Sequence, residues 1–110
     1  MKRAALLLVV FVAAGCGGAA KRTGPTVPHA LAQRWAQQSD AIAAADPCSA
    51  HRQAVVLRTE VILAVNKRKI PQDLLEPLTS KVNALAGHTA CAPVEAEAQD
   101  LAGWLRDSSG

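Results

Sequence analysis

Between Pro47 and Lys67 the chain is restricted to one regular structure. Ala50, Ala54, Leu57, Val61, Ala64 and Val65 recur at spacings of three and four, the period of an α-helix and not the alternation of a strand. Asp46 supplies an N-cap and Pro47 suits the first helical position, where its missing N–H costs nothing. Cys48, Val55 and Ile62 flank the apolar stripe, while Val56 and Leu63, seven residues apart, fall on the opposite side. A helix that is apolar on two sides is expected to be sandwiched. This segment is therefore placed as the central helix, between the one before it and the one after it. His51 and Arg58 fall inside the broad apolar arc and are expected to carry their polar ends past its margin.

The same period continues on both sides. A first helix is expected over His29 to Ala45, with Leu31, Trp35, Ile42 and Ala45 on one side and Gln38 interrupting them. A third is expected over Pro71 to Ala86, carrying Leu74, Leu78, Val82 and Leu85, with Leu75 beside them. Asp73 and Glu76 in its first turns suit the positive end of the helix dipole. Pro77 lies inside it, where proline costs roughly 3 kcal/mol. The Leu74–Leu78–Val82 phase runs straight through, which predicts a kink instead of a break. Gly87 follows as a C-terminal cap. After Ala92-Pro93 a fourth helix reaches about Arg106, with Val94, Ala98, Leu101 and Leu105 inward, Glu95, Glu97 and Asp100 outward and Trp104 at the edge. The expected fold is all-α: a bundle of three to four helices over residues 29–107, with 108–110 fraying.

The segment before Cys16 has a different logic. Lys2 and Arg3 form a positive start, Ala4 to Ala14 an apolar run, and Ala13, Ala14 and Gly15 a small-residue site suited to a signal peptidase. The run is too short for a membrane span, which needs about 20 apolar residues. Val12-Ala13-Ala14-Gly15-Cys16 resembles the lipobox of bacterial lipoproteins, with alanine at position 13 where leucine is commonest. That resemblance implies cleavage before Cys16, a diacylglyceryl thioether on its sulfur and acylation of the new amine. An ordinary secreted protein cut nearby, or a cytoplasmic chain with an apolar start, is the alternative. On the lipoprotein reading residues 1–15 are a signal peptide and 16–28 a lipidated cysteine with its flexible tether. Two or three acyl chains hold a protein stably at about 0.8 kcal/mol per buried CH2. The tether, rich in Gly, Pro and Thr, reaches on the order of 20 Å. Lys21 and Arg22 within it each gain around 1 kcal/mol beside an anionic leaflet, if they do more than solubilise the linker. The implied location is extracytoplasmic, on the cell membrane or on the outer membrane of a host that has one.

Three cysteines in an exported chain leave one to explain. With Cys16 lipidated, Cys48 and Cys91 remain as a pair for an oxidising compartment. Cys48 opens the second helix and Cys91 lies just past the third, points that an antiparallel hairpin brings together. A disulfide is expected over two reduced thiols or a metal pair, because no CxxC, no CxxCH and no histidine at ligand spacing accompanies them. The body from about Ile42 to Cys91, through Asp46-Pro47-Cys48, Ile70-Pro71 with Leu74-Leu75, and Val82-Asn83-Ala84-Leu85, resembles a group of small exported proteins of high-GC Gram-positive bacteria. The resemblance implies architecture and export and carries no activity.

Composition narrows the function. The chain carries +3, and without Lys2 and Arg3 the balance is ten basic against nine acidic side chains. That is too little excess for a nucleic-acid binder. Aromatics are 3% with no tyrosine, so stacking platforms for bases or sugars are scarce. His29, His51 and His88 fall on different elements; Ser39, Ser49 and Ser80 sit in no nucleophile elbow. No phosphate-binding glycine loop and no HExxH occurs. An enzyme is not expected, nor a cofactor or metal beyond the lipid on Cys16. The leading expectation is a membrane-tethered interaction module that binds an envelope protein. Its candidate surface is Val56, Leu63 and the basic Lys67, Arg68 and Lys69, although those cations also suit the negative end of the helix dipole. A small apolar-ligand or lipid carrier is the alternative and requires a connected cavity of several hundred cubic ångströms.

Overall fold

A computed structural model describes residues 24–110. The expected signal peptide 1–15, the expected lipidation site Cys16, and Lys21 and Arg22 of the expected tether lie outside the described residues. Four helices follow in order: α1 His29–Ala44, α2 Pro47–Asn66, α3 Gln72–Ala86 and α4 Glu95–Asp107. Each helix packs on its neighbour in sequence and α4 closes the ring on α1, the most extensive of the four contacts; the diagonal pairs do not meet. The expected all-α, disulfide-stapled bundle is what the chain forms, with Cys48 bonded to Cys91. Among the described residues no helix is long and apolar enough to cross a membrane.

Local chemistry sets the boundaries. Asp46 accepts a hydrogen bond from the Ser49 N–H at 3.1 Å and Pro47 follows it, so α2 starts where cap and proline coincide. Pro71 caps α3 from outside, and the helix begins one residue later than expected, at Gln72. It continues to Ala86 without a break at Pro77. Trp35, Ile42, Leu57, Leu78, Leu85, Leu101 and Leu105 fill one contiguous core, each worth about 1.5–3 kcal/mol of transfer when fully buried.

Three expectations are corrected. First, α2 does lie between α1 and α3, yet its second apolar side is not covered. Val56 is 57% and Leu63 52% exposed, with Ile62 beside them. A ring of four helices covers the inward face of α2 and its two flanks, and the outward face has no fifth helix to meet. Second, residues 108–110 do not fray. Ser108 is buried, and the Val27 N–H donates to the Ser108 carbonyl at 2.8 Å while the Gly110 N–H donates to the Val27 carbonyl at 2.9 Å. Third, the tether ends early for the same reason: Val27 is fully buried in the core. An isolated parallel bridge between Val27 and Ser109 joins the two segments.

The left-handed turns also lie elsewhere than glycine suggests. Gly87 has φ −85°, an ordinary helical value. What requires glycine there is space, since a Cβ would sit 2.7 Å from the Asn83 carbonyl oxygen. Among the described residues those at positive φ are Arg68, at 60°, and Cys91, at 70°.

Candidate functional site: the outer face of α1 and α2

Because α1 and α2 run antiparallel, the start of α1 faces the end of α2. Their outer seam holds two open depressions. Toward the α1–α2 turn, Val56 with Ala41, Gln38, Arg52 and Gln53 lines one of about 280 Å³. Toward the α2–α3 turn, Leu63 with Leu31, Arg34, Lys67 and Lys69 lines a second of about 170 Å³. A polar bridge separates them: Glu60 receives the Gln38 amide at 3.3 Å and pairs with Arg34 at 3.4 Å. Val56 and Leu63 therefore belong to one helix face and to two different depressions. Three other open depressions on the described surface, of up to about 340 Å³, lie between neighbouring helices.

The basic turn is built by the end of α2. Lys67 caps the helix, the Arg68 N–H donates to the Val65 carbonyl at 3.0 Å, and the Lys69 N–H donates to the Ala64 carbonyl at 3.0 Å. These two bonds make a Schellman motif, in which the residue after the cap takes the left-handed conformation. Arginine occupies that position here, at a cost of roughly 1–2 kcal/mol that glycine avoids. Lys67, Arg68 and Lys69 are all exposed. Among the described residues none of their side chains forms an ion pair. The cations close to a helix end are thus free to point at solvent.

Charge elsewhere is paired across the seams. Lys81 meets Asp100 at 2.7 Å between α3 and α4, and Arg106 meets Asp40 between α4 and α1. The Arg106 guanidinium holds the Asp40 carboxyl below the usual range through its hydrogen bond and charge, and the carboxylate raises Arg106 in return. Asp46 is lowered by the Ser49 backbone N–H first, and by its hydroxyl. The three histidines stay apart, as their positions in the sequence suggest. His29 meets the Ser109 hydroxyl at 3.0 Å, His88 meets Glu97 at 2.8 Å, and His51 is half-buried on α2. Arg58 is likewise half-buried on α2. Among the described residues no three His, Cys, Asp or Glu side chains converge as metal ligands would.

The candidate surface gains members that periodicity did not single out. Ala41, Arg52 and Gln53 complete the depression at Val56; Leu31, assigned to the core stripe of α1, is half-buried and lines the one at Leu63. Arg52 lies four residues before Val56, the one signal in the sequence that it shares that face. No family model, curated protein or solved structure matches the chain.

Proposed function

We propose that this protein is a lipid-anchored extracytoplasmic lipoprotein whose bundle serves as a non-catalytic interaction module, receiving an envelope protein at the Val56 depression. One observation carries the interaction reading: the outer face of α2 presents two large aliphatic side chains, Val56 and Leu63, each more than half exposed. Isolated exposed aliphatics are ordinary, but these border depressions between two rigid helices, the geometry of a docking groove. The anchoring part rests on the sequence at Cys16 and on the pairing of the two other cysteines, which leaves Cys16 as the odd thiol.

A photoreactive residue at position 56, expressed in the native host and irradiated in intact cells, tests the module. A discrete adduct formed from position 56 and absent from position 99 on α4 is the expected result. Equal or absent crosslinking from both positions contradicts a partner at this face. Intact mass of the mature chain tests the anchor separately, and an unmodified thiol at Cys16 on an uncleaved chain contradicts it.

A further inference from the structure

We infer that the Lys67–Arg68–Lys69 turn is a second membrane contact, a cationic foot that seats the bundle on the phosphates of an anionic bilayer. The inference rests on the lipid anchor proposed above and adds to it an orientation. It joins three features of the molecule.

Position comes first. At Val27 the chain is locked into the bundle beside Ser109. Leu31 and Arg34 of the first α1 turns share a depression with Leu63, Lys67 and Lys69 at the end of α2. The basic turn and the tether's point of entry thus lie at the same end of the bundle. A chain anchored at Cys16, as proposed above, holds that end toward the lipid.

Charge comes second. From Pro47 to Pro71 the chain carries five basic side chains against one acidic; from Gln72 to Asp107 it carries two against six. Asp73 and Asp107 sit at the same end as the basic turn but on α3 and α4. Arg34 on α1 and Arg106 on α4 are exposed but paired, with Glu60 and Asp40. Among the described residues the unpaired cations at this end are therefore those of the α2 turn, and the bundle leans on that side. Ile62 and Leu63, exposed one turn before the cations, supply apolar groups at headgroup depth. The Val56 depression lies farther along α2 toward the disulfide end and stays open to a partner.

Backbone conformation comes third. Arg68 holds a left-handed φ of 60°, a position where glycine or asparagine is the ordinary choice. Its side chain is exposed and pairs with no described residue. The helix dipole favours a cation at this end but asks for no arginine at the left-handed position in particular, whereas a phosphate surface uses its planar, permanently charged fork. Residues kept in costly conformations point toward function.

Each cation near an anionic surface gains about fivefold in favour of contact, so the three together gain on the order of a hundredfold. The test uses the mature lipidated protein reconstituted in vesicles of phosphatidylcholine alone or with phosphatidylglycerol. Hydrogen exchange is followed at the Leu63–Ile70 amides. The expected result is slower exchange of these amides on the anionic vesicles, approaching a hundredfold, reversed by 1 M salt and absent in K67A/R68G/K69A. The single variant R68G loses about fivefold of that protection while its folded state becomes more stable, a combination that a purely structural arginine does not produce. Equal exchange on both vesicles, with Cys16 lipidated, overturns the foot and leaves the anchor standing; the turn then belongs to an acidic protein partner or to the helix end. Added to preformed vesicles, a chain found unmodified at Cys16 but still protected at this turn only by the anionic lipid upholds the foot and removes the anchor.

Discussion

Replacing Arg68 with glycine should make this protein more stable, against the usual direction of substitutions. The Schellman bonds of Arg68 and Lys69 are main-chain bonds and survive the change. The side chain is exposed and forms no ion pair among the described residues, so little contact energy is lost. Two terms remain. The left-handed conformation costs an L-residue with a Cβ roughly 1–2 kcal/mol, all of which glycine recovers. The unfolded glycine chain is more flexible, which returns about 0.5–1 kcal/mol. The net is a gain of about 0.5–1 kcal/mol. For a body of this size, that raises the melting temperature by roughly 2–8 °C. Thermal unfolding followed by circular dichroism at 222 nm reads it directly. Arg68→Ala separates backbone relief from relief of repulsion between Lys67, Arg68 and Lys69. Alanine removes the charge but keeps the Cβ, so its melting temperature should stay near that of the wild type. A glycine variant that melts lower than wild type, or an alanine variant that gains as much as glycine, would refute the assignment of the cost to the backbone.

Three further outcomes are expected. Cys48→Ser with Cys91→Ser opens a cross-link spanning 43 residues and should cost about 4 kcal/mol in the chain-entropy account, read as a lower urea midpoint; an unchanged midpoint contradicts a stabilising staple. Gly87→Ala drives a Cβ to 2.7 Å from the Asn83 oxygen, and a loss on the order of 1 kcal/mol is expected, measured by the same denaturation. Asp40 and Asp46 both have folded-state values lowered by native partners, so their stabilisation is full above the unfolded value of about 3.9 and fades as pH falls through the lower folded values. The melting temperature should therefore drop below about pH 4 more steeply in the wild type than in Asp46→Asn, which keeps the cap without the charge; identical acid slopes contradict the contribution of Asp46.

The parts of this fold written locally could be read from the residues. Asp46-Pro47 starts α2, and Leu74, Leu78, Val82 and Leu85 line the buried side of α3, because capping and helical period act within a few residues. The α1 stripe was harder to read. Its buried side is Ala32, Trp35, Ala36, Ser39 and Ile42, with Leu31 moved to the margin. Weighting by side-chain size favoured Leu31, but α1 packs most extensively on α4, where Ala98 and Ala102 are also buried. Small residues on both helices let their axes approach, and Ser39 is tolerated there because its hydroxyl donates to the Trp35 carbonyl at 2.8 Å. Val27 and Ser108 could not be read at all. Their bond joins segments far apart in sequence, and neither segment carries a strand pattern. For the candidate surface, the helical period singles out Val56 and Leu63 but does not choose between a sandwiched side and an exposed groove. That depends on how many helices surround α2, which no single helix encodes.

The latch at Val27 has a mechanical consequence. Any pull on the chain ahead of Val27 enters the fold there and loads its bonds to Ser108 and Gly110 before it reaches α1. The covalent loop from Cys48 to Cys91 encloses α2 and α3 and leaves α1 and α4 outside. Under tension the protein is thus a stapled hairpin behind a peelable pair. Force would draw Val27 out of the core and then strip α1 from α4, while the disulfide kept the ends of α2 and α3 joined.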